Sequence, residues 1–107
     1  MKYLIVDCET DGLLDSLTEV HSLVIENEEG AVFSCNDHDS EYPIETGLAI
    51  MMQEAAKGSL IVMHNGIKFD YWALRKVYPW FELPIDQIRD TLVLARLLWA
   101  DIGDKDR

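Results

Sequence analysis

The chain has 107 residues, enough for one domain spanning 1–107 and no more. Apolar residues make up 49% of it and charged residues 27%, a balance that supports a packed core and excludes disordered, collagen-like and linker classes. The formal net charge is −11, and it is unevenly placed: residues 1–45 hold twelve acids against the single base Lys2, while the remainder holds eight acids and eight bases. No apolar run approaches the roughly 18 residues of a membrane span, and the N-terminus lacks the basic and apolar regions of a leader. Cys8 lies in an apolar strand pattern and Cys35 in a polar loop, which makes neither a disulfide framework nor a CxxC metal signature. The chain therefore reads as soluble, unsecreted and cytoplasmic.

Residues 2–8 are apolar on both pleat faces, with Tyr3 and Ile5 on one and Leu4 and Val6 on the other, as in a strand in the middle of a sheet. Residues 19–26 and 31–34 read as a hairpin closed by Asn27-Glu28-Glu29-Gly30. Pro43 opens a helix in which Ile44, Leu48, Met51, Met52 and Ala55 recur at helical spacing, and Gly58 stops it. Leu60-Ile61-Val62-Met63 reads as a second fully buried strand ending at His64-Asn65-Gly66. A short helix follows from about Phe69 to Val77, stopped by Pro79, then a short strand near 85–89 and a helix from Thr91 to about Ala100 that is apolar nearly all round. Hairpin first, then alternating strand and helix, predicts an α/β fold with a mixed sheet. If 60–63 runs parallel to 3–7, their carboxyl ends lie side by side, at the edge where open α/β sheets bind ligands.

Polar residues gather at that edge. Asp7 and Glu9 are two apart, so on a strand they project from one face and Cys8 from the other. Two carboxylates with no nearby base repel each other and are held ionised by a metal; a bare D-x-E also marks a strand end that frays into solvent. Asp70 opens a helix whose inward face should include Ala73, Leu74 and Val77, so that face carries it toward the sheet. By itself it is an acid favoured by the positive end of a helix dipole. With Asp7 and Glu9 at the same edge, a three-carboxylate site for Mg²⁺ or Mn²⁺ is the more economical reading. Such a site would invert the local potential and admit an anionic substrate, whereas the acids elsewhere in the first half keep a small domain soluble.

These residues also carry a family resemblance. The string Asp7-Cys8-Glu9-Thr10-Asp11-Gly12-Leu13 resembles the first motif of the DEDD superfamily of 3′ to 5′ exonucleases, and Asn65-Gly66-Ile67-Lys68-Phe69-Asp70 resembles its second, N-x-x-x-F-D. The wider strings LIVMHNGIKFDYWAL and IRDTLVLARLLWADI resemble the proofreading domain of bacteriophage family A DNA polymerases. The resemblance spans nearly the whole chain and implies a ribonuclease H-like fold with a five-stranded mixed sheet. It implies two metal ions about 3.5–4 Å apart at the scissile phosphodiester. Asp7 would bridge both ions, Glu9 would ligate the nucleophile's ion, and Asp70 would help hold the second. Thr10 and Leu13 would contact the last nucleotides of a single-stranded DNA 3′ end, Leu13 through apolar contact with a base. Asn65 and Phe69 match motif positions near the substrate, and a core role for Phe69 is equally open.

Other residues admit plainer roles. His64 is a candidate phosphate contact or a polar cap on a buried strand. Asp90 precedes Thr91 as a helix cap would. Trp72, Trp80, Phe81 and Trp99 have faces on which bases could stack, although aromatics in a small domain usually fill its core. Five of the nine bases, Lys68, Arg75, Lys76, Arg89 and Arg96, lie between 68 and 96 and form either a phosphate-contacting face or solvated helices.

The family's third motif, Y-x-x-x-D or H-x-x-x-D, has no counterpart, since Tyr71 and Tyr78 are followed four positions on by Arg75 and Glu82. The resemblance thus predicts a C-terminally incomplete domain, impaired alone, that needs a polymerase domain or another chain to supply the missing ligand. A phage-infected or prophage-carrying bacterial cell is the setting it implies. From a different class, the apolar helix at 91–100 points to a non-catalytic module of the same fold that binds a polymerase or host protein.

Overall fold

A computed structural model describes residues 2–38, 42–63 and 69–90. Five strands form one sheet in the order β3-β2-β1-β4-β5, where β1 is Tyr3–Thr10, β2 Val20–Asn27, β3 Val32–Cys35, β4 Leu60–Met63 and β5 Ile88–Asp90. Among the described residues two α-helices accompany it, α1 at Ile44–Ala56 and α2 at Tyr71–Val77. The hairpin strands pair antiparallel, and β4 joins β1 in parallel with Tyr3 opposite Leu60 and Val6 opposite Met63. β5 extends the parallel half, with Met63 opposite Asp90. This is the predicted mixed α/β sheet, consistent with a ribonuclease H-like fold, and β1 is its central strand.

Local chemistry explains the element ends. Asn27 turns the hairpin: its N–H donates to the Ala31 carbonyl at 3.0 Å, its side-chain oxygen accepts from Glu29 and Ala31 N–H, and Gly30 takes φ +87°. At the start of α1, Pro43 is extended and the Ile44 N–H donates to the Asp37 carboxylate at 3.0 Å, so one orphan donor of the first turn is satisfied from the preceding loop. Gly58, at φ +94°, follows the end of that helix.

One sheet face is covered. Leu4, Val6, Leu23, Ile25, Ile61 and Met63 meet Ile44, Leu48 and Met51 of α1 and Tyr71 and Leu74 of α2 in a single core. At Gly47 the approach is so close that a Cβ would stand 2.7 Å from a Leu23 methyl and 2.9 Å from the Cys35 sulfur. Gln87 ties the opposite edge in, donating to the Ala55 and Ser59 carbonyl oxygens at 2.7 and 2.9 Å.

Several expectations are corrected. Tyr3 and Ile5 remain 38% and 40% exposed, and Leu60 and Val62 of β4 are half-buried, so β4 is not the fully buried strand that its four apolar residues predict. Among the described residues nothing covers this second face, and Tyr3, Ile5, Leu60, Val62 and Arg89 line an open groove of about 360 Å³. Cys35 belongs to β3 and is buried, because the alternation of that strand turns it toward Gly47 rather than into a loop. The strand predicted at 85–89 is a 3₁₀ turn at Ile85–Gln87 followed by β5. Phe69 and Asp70 form a wide π-type turn that leads into α2, which starts at Tyr71 and buries that residue as well as Ala73 and Leu74. Of the aromatics assigned to the core, Phe81 is fully buried but Trp72 and Trp80 are exposed. Both cysteines are free thiols. The predicted helix at 91–100, with Trp99, lies outside the described residues. No described helix is long and apolar enough to cross a membrane.

Candidate active site

The pleat of β1 separates its residues as the D-x-E spacing requires. Asp7 and Glu9 lie on the exposed face that carries Tyr3 and Ile5, and Cys8 lies half-buried on the core face with Leu4 and Val6. The register with β2 shifts between Glu9 and Thr10, an irregularity at the point where the strand leaves the sheet.

Asp70 reaches the same strand end from the other side. It is 7% exposed, and its carboxylate accepts a hydrogen bond from the Cys8 thiol. Burial pushes that thiol well above its ordinary range, and the charges of Asp70, Asp7 and Glu9 and the hydrogen bond to Asp70 raise it further. Cys8 thus registers a negative field to which all three carboxylates contribute. Asp90, at the end of β5, is buried in the row Val6, Met63, Asp90 across the parallel strands, one position before Asp7. The helix it was expected to cap lies outside the described residues.

The segment after β1 is a closed loop. Asp11 Oδ1 accepts the N–H groups of Thr18 and Glu19 at 2.8 and 3.0 Å, and Oδ2 accepts the Thr18 hydroxyl. These bonds hold the exposed Asp11 carboxyl down at about 2. Within the loop Leu17 is buried, its N–H donates to the Leu13 carbonyl at 2.7 Å, and Leu13 is left at the apex, 74% exposed. Thr10 donates its hydroxyl to the Gly12 carbonyl at 2.9 Å. Lys76 of α2 donates to the Leu14 carbonyl at 2.9 Å and fastens the loop to the helix that follows Asp70. This role of Asp11 is not legible in the sequence, because a carboxylate seven residues before a Thr has no periodic signature to find it by.

The structure therefore brings Asp70 beside Cys8, sets Asp7 and Glu9 together on the opposite pleat face, and places Thr10 at the end of β1 and Leu13 on the adjoining loop. Phe69 is half-buried next to Asp70. His64 and Asn65 lie outside the described residues. Among the described residues no three His, Cys, Asp or Glu side chains converge on one point as metal ligands. The chemistry of the donors does fit a hard divalent cation: carboxylate oxygens, no described base bonded to Asp7 or Glu9, and a shared negative field around Cys8.

No family model matches the chain. It is 36% identical over 110 residues to the DNA-directed DNA polymerase of Escherichia phage T7 and 34% identical over 110 residues to that of Enterobacteria phage T3, with 96% of this chain covered in each case. The chain spans only 15% of the length of either relative. Among solved structures, the family B DNA polymerase of the archaeon Pyrobaculum calidifontis matches 81% of this chain and 12% of its own, at TM-score 0.50 and 18% identity, a likeness of fold. Over nearly all of its length the chain is thus similar to one segment of the T7 and T3 phage DNA polymerases.

Proposed function

We propose that this domain is a metal-dependent 3′ to 5′ exonuclease of the proofreading kind, acting on the 3′ end of single-stranded DNA. The observation that carries the reading is the placement of Asp7 and Glu9 on one pleat face at the end of β1 and of Asp70 beside Cys8 on the other, with Cys8 in the field of all three, in a chain similar to a segment of phage DNA polymerases. Asp7 and Glu9 on the open face and Asp70 beneath it are the residues that would hold Mg²⁺ or Mn²⁺. When bound, such ions supply Lewis-acid stabilisation of the phosphodiester and a water activated at neutral pH. The chain's own part is to hold the strand end: Thr10 ends β1 and Leu13 stands on the following loop, closed by Asp11 and fastened by Lys76, so their positions relative to Asp7 are fixed before substrate arrives. In a phage-infected or prophage-carrying bacterial cell the domain would work in the cytoplasm.

Single-turnover hydrolysis of 5′-labelled single-stranded DNA in Mn²⁺ tests this reading, alongside Asp7→Ala and calorimetric titration of Mn²⁺. Slow stepwise shortening from the 3′ end, lost in the variant together with saturable Mn²⁺ binding, is the expected result. Metal binding and cleavage that are both absent, or both indifferent to Asp7→Ala, would sink it.

A further inference from the structure

Helix α2 presents a surface unlike that of a merely solvated helix. Trp72 is 41% exposed although six of the nine other residues from Phe69 to Tyr78 are apolar or aromatic and pack inward or half inward. Lys76 lies one turn on, on the same face of the helix, and its ammonium reaches the Leu14 carbonyl. Beyond that bond stands the loop whose apex is the exposed Leu13. Among the described residues the only cations are Lys2, Lys57, Arg75, Lys76 and Arg89, so the last turn of α2 concentrates two of five in a strongly acidic protein. The indole rests against the Tyr71 ring at 5.1 Å between centroids, which limits its motion and leaves less entropy to lose when a flat group docks on it.

We propose that the exposed face of α2 is a nucleotide seat for a single strand, in which Trp72 stacks on a base and Lys76 contacts the phosphate beside it. An exposed indole gives sequence-tolerant stacking, and an ammonium with donors remaining after its bond to Leu14 supplies the charge that the acidic surroundings lack. The seat lies along the helix that begins at Tyr71, immediately after Asp70, and Trp72 stands two residues from that carboxylate. The inference rests on the exonuclease reading for the choice of a single strand as ligand, but its test needs no cleavage.

The probe is 5′-fluorescein-labelled oligothymidylate, and binding is read by fluorescence anisotropy in EDTA, where metal-dependent hydrolysis cannot intrude. Trp72→Leu, which keeps an apolar side chain but removes the π face, is expected to weaken binding roughly 5- to 150-fold, and Trp72→Phe to restore most of it. Lys76→Met is expected to lower the slope of log affinity against log salt by about 0.7, while Trp72→Leu leaves that slope unchanged. Circular dichroism confirms that each variant is folded. Equal affinity of wild type and Trp72→Leu overturns the seat, as does a wild-type chain that fails to bind. Hydrolysis of the same oligonucleotide in Mn²⁺ then tells whether the exonuclease reading falls with it or stands alone.

Discussion

The carboxylate of Asp11 and residue Thr18 close the loop that carries Leu13, through the Thr18 N–H at 2.8 Å and the Thr18 hydroxyl. Three donors aimed at one carboxylate favour its charged form, which is why the group titrates near 2. A carboxyl lowered on folding contributes stability that is present above its ordinary value and lost as pH falls through the folded one. Asp11→Asn keeps the shape and removes the charge. The variant should therefore unfold more easily than wild type at pH 6, and the gap should close between about pH 4 and pH 2. Thermal midpoints of the two proteins across that range check this, and a gap independent of pH would mean that the charge is not what the loop uses.

Tyr71 offers a cleaner measure of buried polar chemistry. It is 2% exposed, and its hydroxyl accepts the Leu83 N–H at 3.1 Å and donates to the Leu83 carbonyl at 3.3 Å. Tyr71→Phe preserves the ring and its edge contact with Phe81 while leaving both Leu83 groups without that partner. The expected loss is about 1–3 kcal/mol. Urea unfolding with an unchanged slope would confirm it, and a shift of less than about 0.5 kcal/mol would mean that water replaces the hydroxyl.

How far these features are legible in the sequence differs with their physical origin. The apolar runs at 3–6 and 60–63 predict two strands, whose parallel pairing the structure supplies, and the helical spacing from Ile44 to Ala55 predicts α1 and its inward face. The same runs do not tell which sheet face is covered, because an apolar residue alternates the same way against a helix or against water; Tyr3 and Ile5 are exposed and Leu60 and Val62 only half-buried for want of a described neighbour, not of hydrophobicity. Asp70 was legible as an inward acid, but the π-type turn at Phe69 and Asp70 brings Tyr71 inward too, and no spacing rule announces such a turn. Asp11 and Lys76 act through backbone groups 7 or more residues away, and a backbone group carries no residue signature. For Trp72 the sequence leaves a base-stacking and a core role open, and the composition argument for the core holds for Phe81 but not for a residue on the outer face of a short helix.

Gly47 makes a packing prediction. Alanine is the better helix former by about 0.5–1 kcal/mol. Yet its Cβ would meet Leu23 and Cys35 inside ordinary contact, and both side chains are buried in the core. Overpacking typically costs about 1–3 kcal/mol, so Gly47→Ala should be net destabilising by about 1 kcal/mol in urea. A more stable variant would show that the Leu23 methyl and the Cys35 sulfur give way without strain.

Cys8 links stability to alkaline pH. Its thiol is raised by burial and by the charges of Asp70, Asp7 and Glu9, so the folded chain keeps a proton that the unfolded chain releases in the ordinary thiol range. A group raised on folding contributes stability that is full below its unfolded value and declines above it. Above about pH 9 the wild-type protein should lose about 1.4 kcal/mol per pH unit more steeply than Cys8→Ala, which has no proton to release there. Urea midpoints at pH 8, 9 and 10 for the two proteins give the difference in slope. Parallel slopes would mean that the thiol ionises alike in both states, and that the three carboxylates do not act on Cys8 together.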